Sequence, residues 1–184
     1  MTSSATVEGR ERLRLFCALT LPDAVLDPLV EWQARELSGG ERIVPRGNLH
    51  VTVAFLGHRP ATDVEPVASE LAAAAAASGP IRLTPRSYRE TRSVGMVVFE
   101  DAEEHAGRFA LDVFARLERL GVYEPERRRW LPHVTVLRFR RAPRLRPPLP
   151  DLGEFSPSGA AVYHSLLRPG GAQYEILESF ALGG

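Results

Sequence analysis

Two identical stretches, His50-Val51-Thr52-Val53 and His133-Val134-Thr135-Val136, carry the residues best suited to chemistry. Each lies in a strand-like run, NLHVTVAFLG and LPHVTVLRF. Side chains in a strand alternate between faces, so His and Thr of each copy point one way and both Val the other. Two imidazoles that titrate near neutrality and two hydroxyl donors therefore occupy matching faces. If those faces oppose each other, the cleft between them can move a proton onto one oxygen and off another. One such stretch is an ordinary half-buried strand; its repetition in a chain with five His marks a site.

Other chemistries fit less well. Every one of the 23 basic residues is Arg, so a lysine nucleophile, Schiff base or lysine adenylate is excluded. The two His could be zinc ligands, but each copy supplies one His and no Cys, Asp or Glu at ligand spacing. No metal and no cofactor is expected. Cys17, the sole cysteine, sits in an apolar run and reads as a buried structural thiol. The formal net charge is zero, which argues against bulk electrostatic attachment to nucleic acid or membrane. Charge is nevertheless uneven. Arg127, Arg128, Arg129, Arg138, Arg140, Arg141, Arg144 and Arg146 surround the second motif with no intervening Asp or Glu. No apolar run is long enough to span a membrane. A cytoplasmic monomer is expected, with a disordered lead over 1–12 and a single bilobal domain over 13–184.

The elements that must position the two motifs occur in similar order twice. LRLFCALT (13–20) reads as a buried strand. Thr20 and Asp23 mark a helix start, and Val25, Leu26, Leu29, Val30 and Leu37 trace its apolar face before Gly39-Gly40. A short extended piece leads to the first motif strand, which Gly57 should end. Thr62-Asp63-Val64-Glu65 opens an alanine-rich helix to about Ser78. The stretch 81–90 reads as a strand made an edge by Pro85. VGMVVFE (94–100) is then a strand, Asp101 with Glu104 caps a helix that ends at Gly121, and the second motif strand follows. Strand, helix and motif strand written twice imply pseudo-repeat halves, about 13–90 and 94–184, flanking a pseudo-two-fold cleft. A Pro- and Arg-rich connector (141–150) precedes two closing strands, near 158–167 and 173–181.

NLHVTVAFLG, LPHVTVLRF and the late YHSLLRPGGAQYEILESF together resemble the two-histidine phosphoesterase superfamily. Within it, the chain is most similar to the RNA 2′,3′-cyclic phosphodiesterases, historically called 2′-5′ RNA ligases. The opening RLFCALTLP fits the same family, so the resemblance spans about Arg14 to Leu182. It implies an α+β fold, bilobal and internally duplicated, with antiparallel sheets facing a central cleft and helices outside.

The family's catalytic histidines map onto His50 and His133, its phosphate-binding threonines onto Thr52 and Thr135, and an arginine five residues after the second histidine onto Arg138. Two positions depart from the pattern. Trp130 replaces a phenylalanine but remains an aromatic able to stack on a base, and His164 replaces an arginine before the late serine. The implied reaction is metal-independent hydrolysis of an RNA 2′,3′-cyclic phosphate end, or of a small cyclic nucleotide, to a 2′-phosphate, with reversible 2′-5′ ligation as its companion. By analogy His50 is the general acid and His133 the general base. Arg138 poses a geometric problem, because five residues from His133 a regular strand presents the opposite face. Either the strand bulges or ends near Leu137, or Arg138 serves the RNA surface. The competing class is a non-catalytic module that holds RNA ends in the same cleft; two imidazoles able to exchange protons favour the enzyme.

Overall fold

The computed structural model describes residues 11–37 and 42–183. Strands β1 (Arg12–Thr20), β2 (Arg42–Ile43), β3 (Val51–Pro60), β4 (Thr84–Glu90), β5 (Val94–Glu100), β6 (His133–Arg138), β7 (Gly159–Arg168) and β8 (Gly171–Phe180) alternate with helices α1 (Asp23–Glu36), α2 (Val64–Ala77) and α3 (His105–Arg119). The expected disordered lead, as far as residue 10, and the expected stop at Gly39-Gly40 lie outside the described residues.

All eight strands form one curled antiparallel sheet in the order β4-β5-β6-β3-β1-β7-β8, with β2 also against β6. The α+β class thus holds, and the two strand sets meet where Val51 pairs with Val134. Around that pair the order reads alike in both directions, β6-β5-β4 one way and β3-β1-β7 the other. The sequence halves interlock: β4 of the first pairs with β5 of the second, and β7 of the second pairs with β1 of the first.

The helices cover one face of this sheet. Leu29 and Trp32 of α1, Val67 and Leu71 of α2, and Phe109, Val113 and Leu117 of α3 pack into one core with Cys17, Leu19, Val51, Val134 and Val136. On the opposite face a smaller cluster of Phe16, Ala18, Ala161 and Tyr163 supports the cleft. This explains why β1 is buried without interruption from Leu15 to Leu19: alternate residues serve two different cores.

Several local signals resolve differently in three dimensions. The Thr20 hydroxyl bonds Ser158 at 2.9 Å instead of capping α1. The N-cap of α2 falls on Asp63, one residue after the Thr62 of the expected capping box, with its carboxylate paired to Arg59 at 2.8 Å rather than capping the helix. Asp101 does serve α3, accepting the amides of Ala106 (3.2 Å) and Gly107 (2.8 Å). Gly57, expected to end its strand, lies inside β3 at φ +70°, next to an irregularity in the pairing with β1. The Pro-rich connector is pinned: the Glu90 carboxylate accepts the amides of Arg144 and Leu145 (both 2.8 Å), and the Trp32 indole donates to the Pro148 carbonyl (2.8 Å).

One buried polar residue ties α1 to the sheet. The Gln33 amide donates to the carbonyls of Val44 (3.0 Å) and Val136 (2.8 Å). Gln33→Leu would leave these buried acceptors short of a donor, so a stability loss of about 1–3 kcal/mol is expected. Urea unfolding measures it; a variant as stable as the parent would show that the two bonds contribute nothing.

Candidate active site

The pairing of Val51 with Val134 places the motifs head to head. One step either side, antiparallel geometry sets His50 across from Thr135 and Thr52 across from His133, all four on one face. The imidazoles are diagonal neighbours, a relation that brings Cβ atoms to about 7–8 Å, within reach of one small group between long side chains.

Both rings are oriented by the same device. His50 Nδ1 lies 2.9 Å from the Asn48 carbonyl and His133 Nδ1 lies 2.8 Å from the Leu131 carbonyl. A carbonyl only accepts, so each Nδ1 carries the proton and, in the neutral ring, each Nε2 is left as an acceptor. His50 Nε2 meets the Thr52 hydroxyl at 2.9 Å. In the neutral ring that hydroxyl must donate to it.

The Arg138 problem is solved by a bulge. Between β5 and β6 the register runs from Met96↔Thr135 to Gly95↔Leu137, leaving Val136 unpaired. Val136 and Leu137 are both buried, and Arg138 emerges on the cleft face. The first motif does the same: Ala18↔Thr52 is followed by Cys17↔Ala54, so Val53 is the extra residue. Phe55, 47% exposed, then stands at the position in β3 that Arg138 occupies in β6. The two ends of the cleft are therefore chemically unlike, with a guanidinium at one and an aromatic ring at the other.

A cavity of about 150 Å³ is lined by His50, Thr52, Thr135 and Arg138. Arg14, Phe16, Asn48, Phe55, Ser165 and Tyr174 also contribute to its wall. His133 stands beside this cavity rather than in its lining, close enough for its charge to act on His50. Trp130, expected to stack on a base, does not line it either: its indole donates to the Thr52 carbonyl at 3.0 Å and braces the loop before β6 against β3. His164 is also outside the lining, while its neighbour Ser165 is part of it. Arg128 and Arg129 of the arginine-rich stretch make exposed pairs with Glu126 (3.1 Å) and Glu104 (3.2 Å). Among the described residues, no group of three or more His, Cys, Asp and Glu could hold a metal ion.

Sequence reasoning missed Phe55, Arg14, Tyr174 and Ser165. A shared offset of five residues could have linked Phe55 to Arg138. The alternation Arg14-Phe16 in β1 gave the only hint for that wall.

Electrostatically the two histidines differ in setting. His50 retains some open surface, yet the rings of Phe16 (4.9 Å between centroids), Tyr174 (5.3 Å) and Tyr163 (5.5 Å) enclose it. Burial among them pushes its pKa down to about 4; the hydrogen bond to the Asn48 carbonyl opposes this, and the smaller effects of the Arg138 and His133 charges add to it.

Comparison with known proteins then fixes the lineage. The family described as LigT like Phosphoesterase matches residues 19–88. An RNA 2′,3′-cyclic phosphodiesterase of Thermus thermophilus is 34% identical over 94% of this chain and 91% of its own. The chain belongs to the RNA 2′,3′-cyclic phosphodiesterase family. A protein of the same name from Methanocaldococcus jannaschii is 23% identical over 91% of this chain and 100% of that one. The crystal structure of TT0787 of Thermus thermophilus superposes with a TM-score of 0.79 at 32% identity, covering 94% of this chain and 99% of that one. E. coli LigT complexed with NADP+ gives 0.79 at 25% identity, covering 95% and 99%. This phosphodiesterase is thus an enzyme of a family whose fold its own sheet reproduces across nearly the whole chain. Among the described residues no helix is long and apolar enough to cross a membrane.

The depressed His50 pKa has a consequence for this phosphodiesterase that can be measured. The folded state protonates His50 only near pH 4, whereas an unfolded imidazole does so near 6.5. Between those values the unfolded chain holds the extra proton, so His50 contributes no penalty above 6.5 and an increasing one as pH falls toward 4. Its share of the acid loss is at most about 3 kcal/mol. His50→Gln keeps a donor for Asn48 and removes the titration, so its stability should fall less between pH 6.5 and 4.5 than the parent's. Parallel curves would show that His50 titrates alike in both states.

Proposed function

We propose that this phosphodiesterase opens the 2′,3′-cyclic phosphate at an RNA 3′ end, or on a small cyclic nucleotide, by proton transfer between His50, His133 and the substrate. The observation that carries this reading is the head-to-head pairing of two His-x-Thr motifs with both Nδ1 atoms bonded to carbonyls. His133 Nε2 removes a proton from water, the water oxygen bonds to phosphorus, the bond from phosphorus to the 3′ oxygen breaks, and His50 Nε2 protonates that oxygen. The product is a 2′-phosphate, and no metal takes part. Run in the same direction with the 5′-hydroxyl of a second RNA in place of water, these steps join RNA ends through a 2′-5′ bond; run backwards, attack of the 3′ oxygen on that phosphorus breaks it again.

Thr52, Thr135 and Arg138 hold the non-bridging oxygens as charge develops on them. His50 is neutral in the free protein, so an acid role requires that the substrate arm it. A phosphodiester anion beside Nε2 supplies the negative charge that draws a proton onto the ring. Protonated Nε2 no longer accepts from Thr52, whose hydroxyl is freed to donate to the phosphate. Binding and protonation thereby favour each other.

Phe55 gives the terminal base a surface for stacking. The nucleotide held by E. coli LigT in its complex with NADP+ accords with a cleft of this kind. Trp130 positions Thr52 through its carbonyl. We read the described chain as one bilobal unit, because each half supplies one histidine and strands of the other's lobe, and we place it in the cytoplasm as a monomer.

His50→Ala and His133→Ala should each lower turnover of cytidine 2′,3′-cyclic phosphate by roughly 10²- to 10⁴-fold with modest change in affinity. Thr52→Ala and Thr135→Ala should cost less and divide the loss between rate and binding. Chelators should leave the parent unaffected. Folded histidine variants that turn over at the parental rate, or activity lost in EDTA and restored by zinc, would overturn the reading.

A further inference from the structure

On the far side of Phe55 lies a second and larger cavity of about 570 Å³. Its floor is Phe55 and Leu56 of β3; its opposite wall is the turn that leaves α3, with Val122 and Tyr123. Phe55 belongs to both cavities. At about 150 Å³ the catalytic cavity is well below the roughly 300–1,000 Å³ usual for small-molecule sites, whereas the second lies within that range.

We infer that this second cavity is a subsite for the nucleoside that precedes the cyclic-phosphate-ended one, with Phe55 dividing the two bases. The inference rests on the reaction proposed above. Three features select a nucleoside rather than a phosphate as the occupant. Glu118 and Glu124 line the cavity, and the C-terminus of α3, where the helix dipole is negative, opens into it. The cation in its lining, Arg59, is bonded to Asp63 at 2.8 Å. A phosphodiester is repelled there, while the carboxylates accept from the exocyclic amino groups of a base. The Tyr123 ring, stacked on Phe114 at 5.1 Å between centroids, is a braced platform for such a base.

The linking phosphodiester must cross near Phe55, and a suitable charge stands there. The Arg14 guanidinium lies 4.9 Å over the Phe55 ring, and no described carboxylate pairs with it. It holds the linking phosphate as the chain passes from one cavity to the other. The enzyme is accordingly built for an RNA end of at least two nucleotides.

The test compares kcat/KM for cytidine 2′,3′-cyclic phosphate with that for the dinucleotide carrying adenosine before the same cytidine cyclic phosphate. The dinucleotide should be favoured by roughly 5- to 100-fold, the range that stacking of one base on an aromatic ring gives. Tyr123→Ala should remove most of that advantage and leave the mononucleotide within about twofold of the parent. Because Tyr123 also packs on Phe114, Glu118→Trp, placed on an exposed position to obstruct the cavity, provides a second variant with the same expectation. A parent that turns over both substrates equally would overturn the subsite and leave the proposed reaction standing. So would variants that slow both substrates alike, since the cavity would then hold the terminal base. A parent inactive on both would remove the reaction and the subsite together.

Discussion

The antiparallel pairing of Val51 with Val134 is the contact on which the site depends. Each Val is fully buried and continues into the helix-covered core, so burying the two apolar residues fixes which face the polar ones take. Once the pair forms, His50, Thr52, His133 and Thr135 have no choice of side. A slip of one residue in either strand would send an imidazole into the core. The stability of the apolar layer and the geometry of the catalytic layer are thus the same constraint seen from two faces of one sheet.

The bulges extend that logic. A regular strand would bury Arg138 and expose Leu137; one extra residue at Val136 reverses both. The carbonyl of the bulged residue accepts from the Gln33 amide (2.8 Å) and from the Val44 amide (3.0 Å), so helix α1 helps hold the distortion that delivers the guanidinium. The matching bulge at Val53 delivers Phe55. Duplication supplies two equal scaffolds, and a single difference in residue type at the fifth position makes the cleft polar at one end and aromatic at the other. A site symmetric at these two positions would offer a substrate two equivalent orientations; the guanidinium and the ring make the two orientations unlike.

The motifs, the strands that carry them, the helices and the class of the fold were legible in the sequence. Their evidence is local, in period-two alternation, helical apolar faces and glycine stops such as Gly121 at φ +76°. The illegible parts depend on partners remote in the chain. The offset of Arg138 from His133 left a bulge, a strand end near Leu137 and a role on the RNA surface open, and nothing local chose among them or showed that the bulge rests on Gln33; nor does anything near Trp130 announce that its indole reaches Thr52. Thr20 has the residue type of a helix cap but Ser158 offers it an alternative, and the box opened by Thr62 yields its N-cap position to Asp63, whose carboxylate is held by Arg59; only the folded chain presents these partners. The halves interlock through β4 and β7, an arrangement no local pattern encodes.

The central claim is that two histidines act on one phosphorus from fixed and opposite sides, with His50 serving the 3′ oxygen. Phosphorus NMR of the product formed from an oligonucleotide ending in a 2′,3′-cyclic phosphate tests it most directly. The account predicts a 2′-phosphomonoester alone, because the asymmetric cleft admits one orientation. A 3′-phosphomonoester, or a mixture of the two, would contradict it.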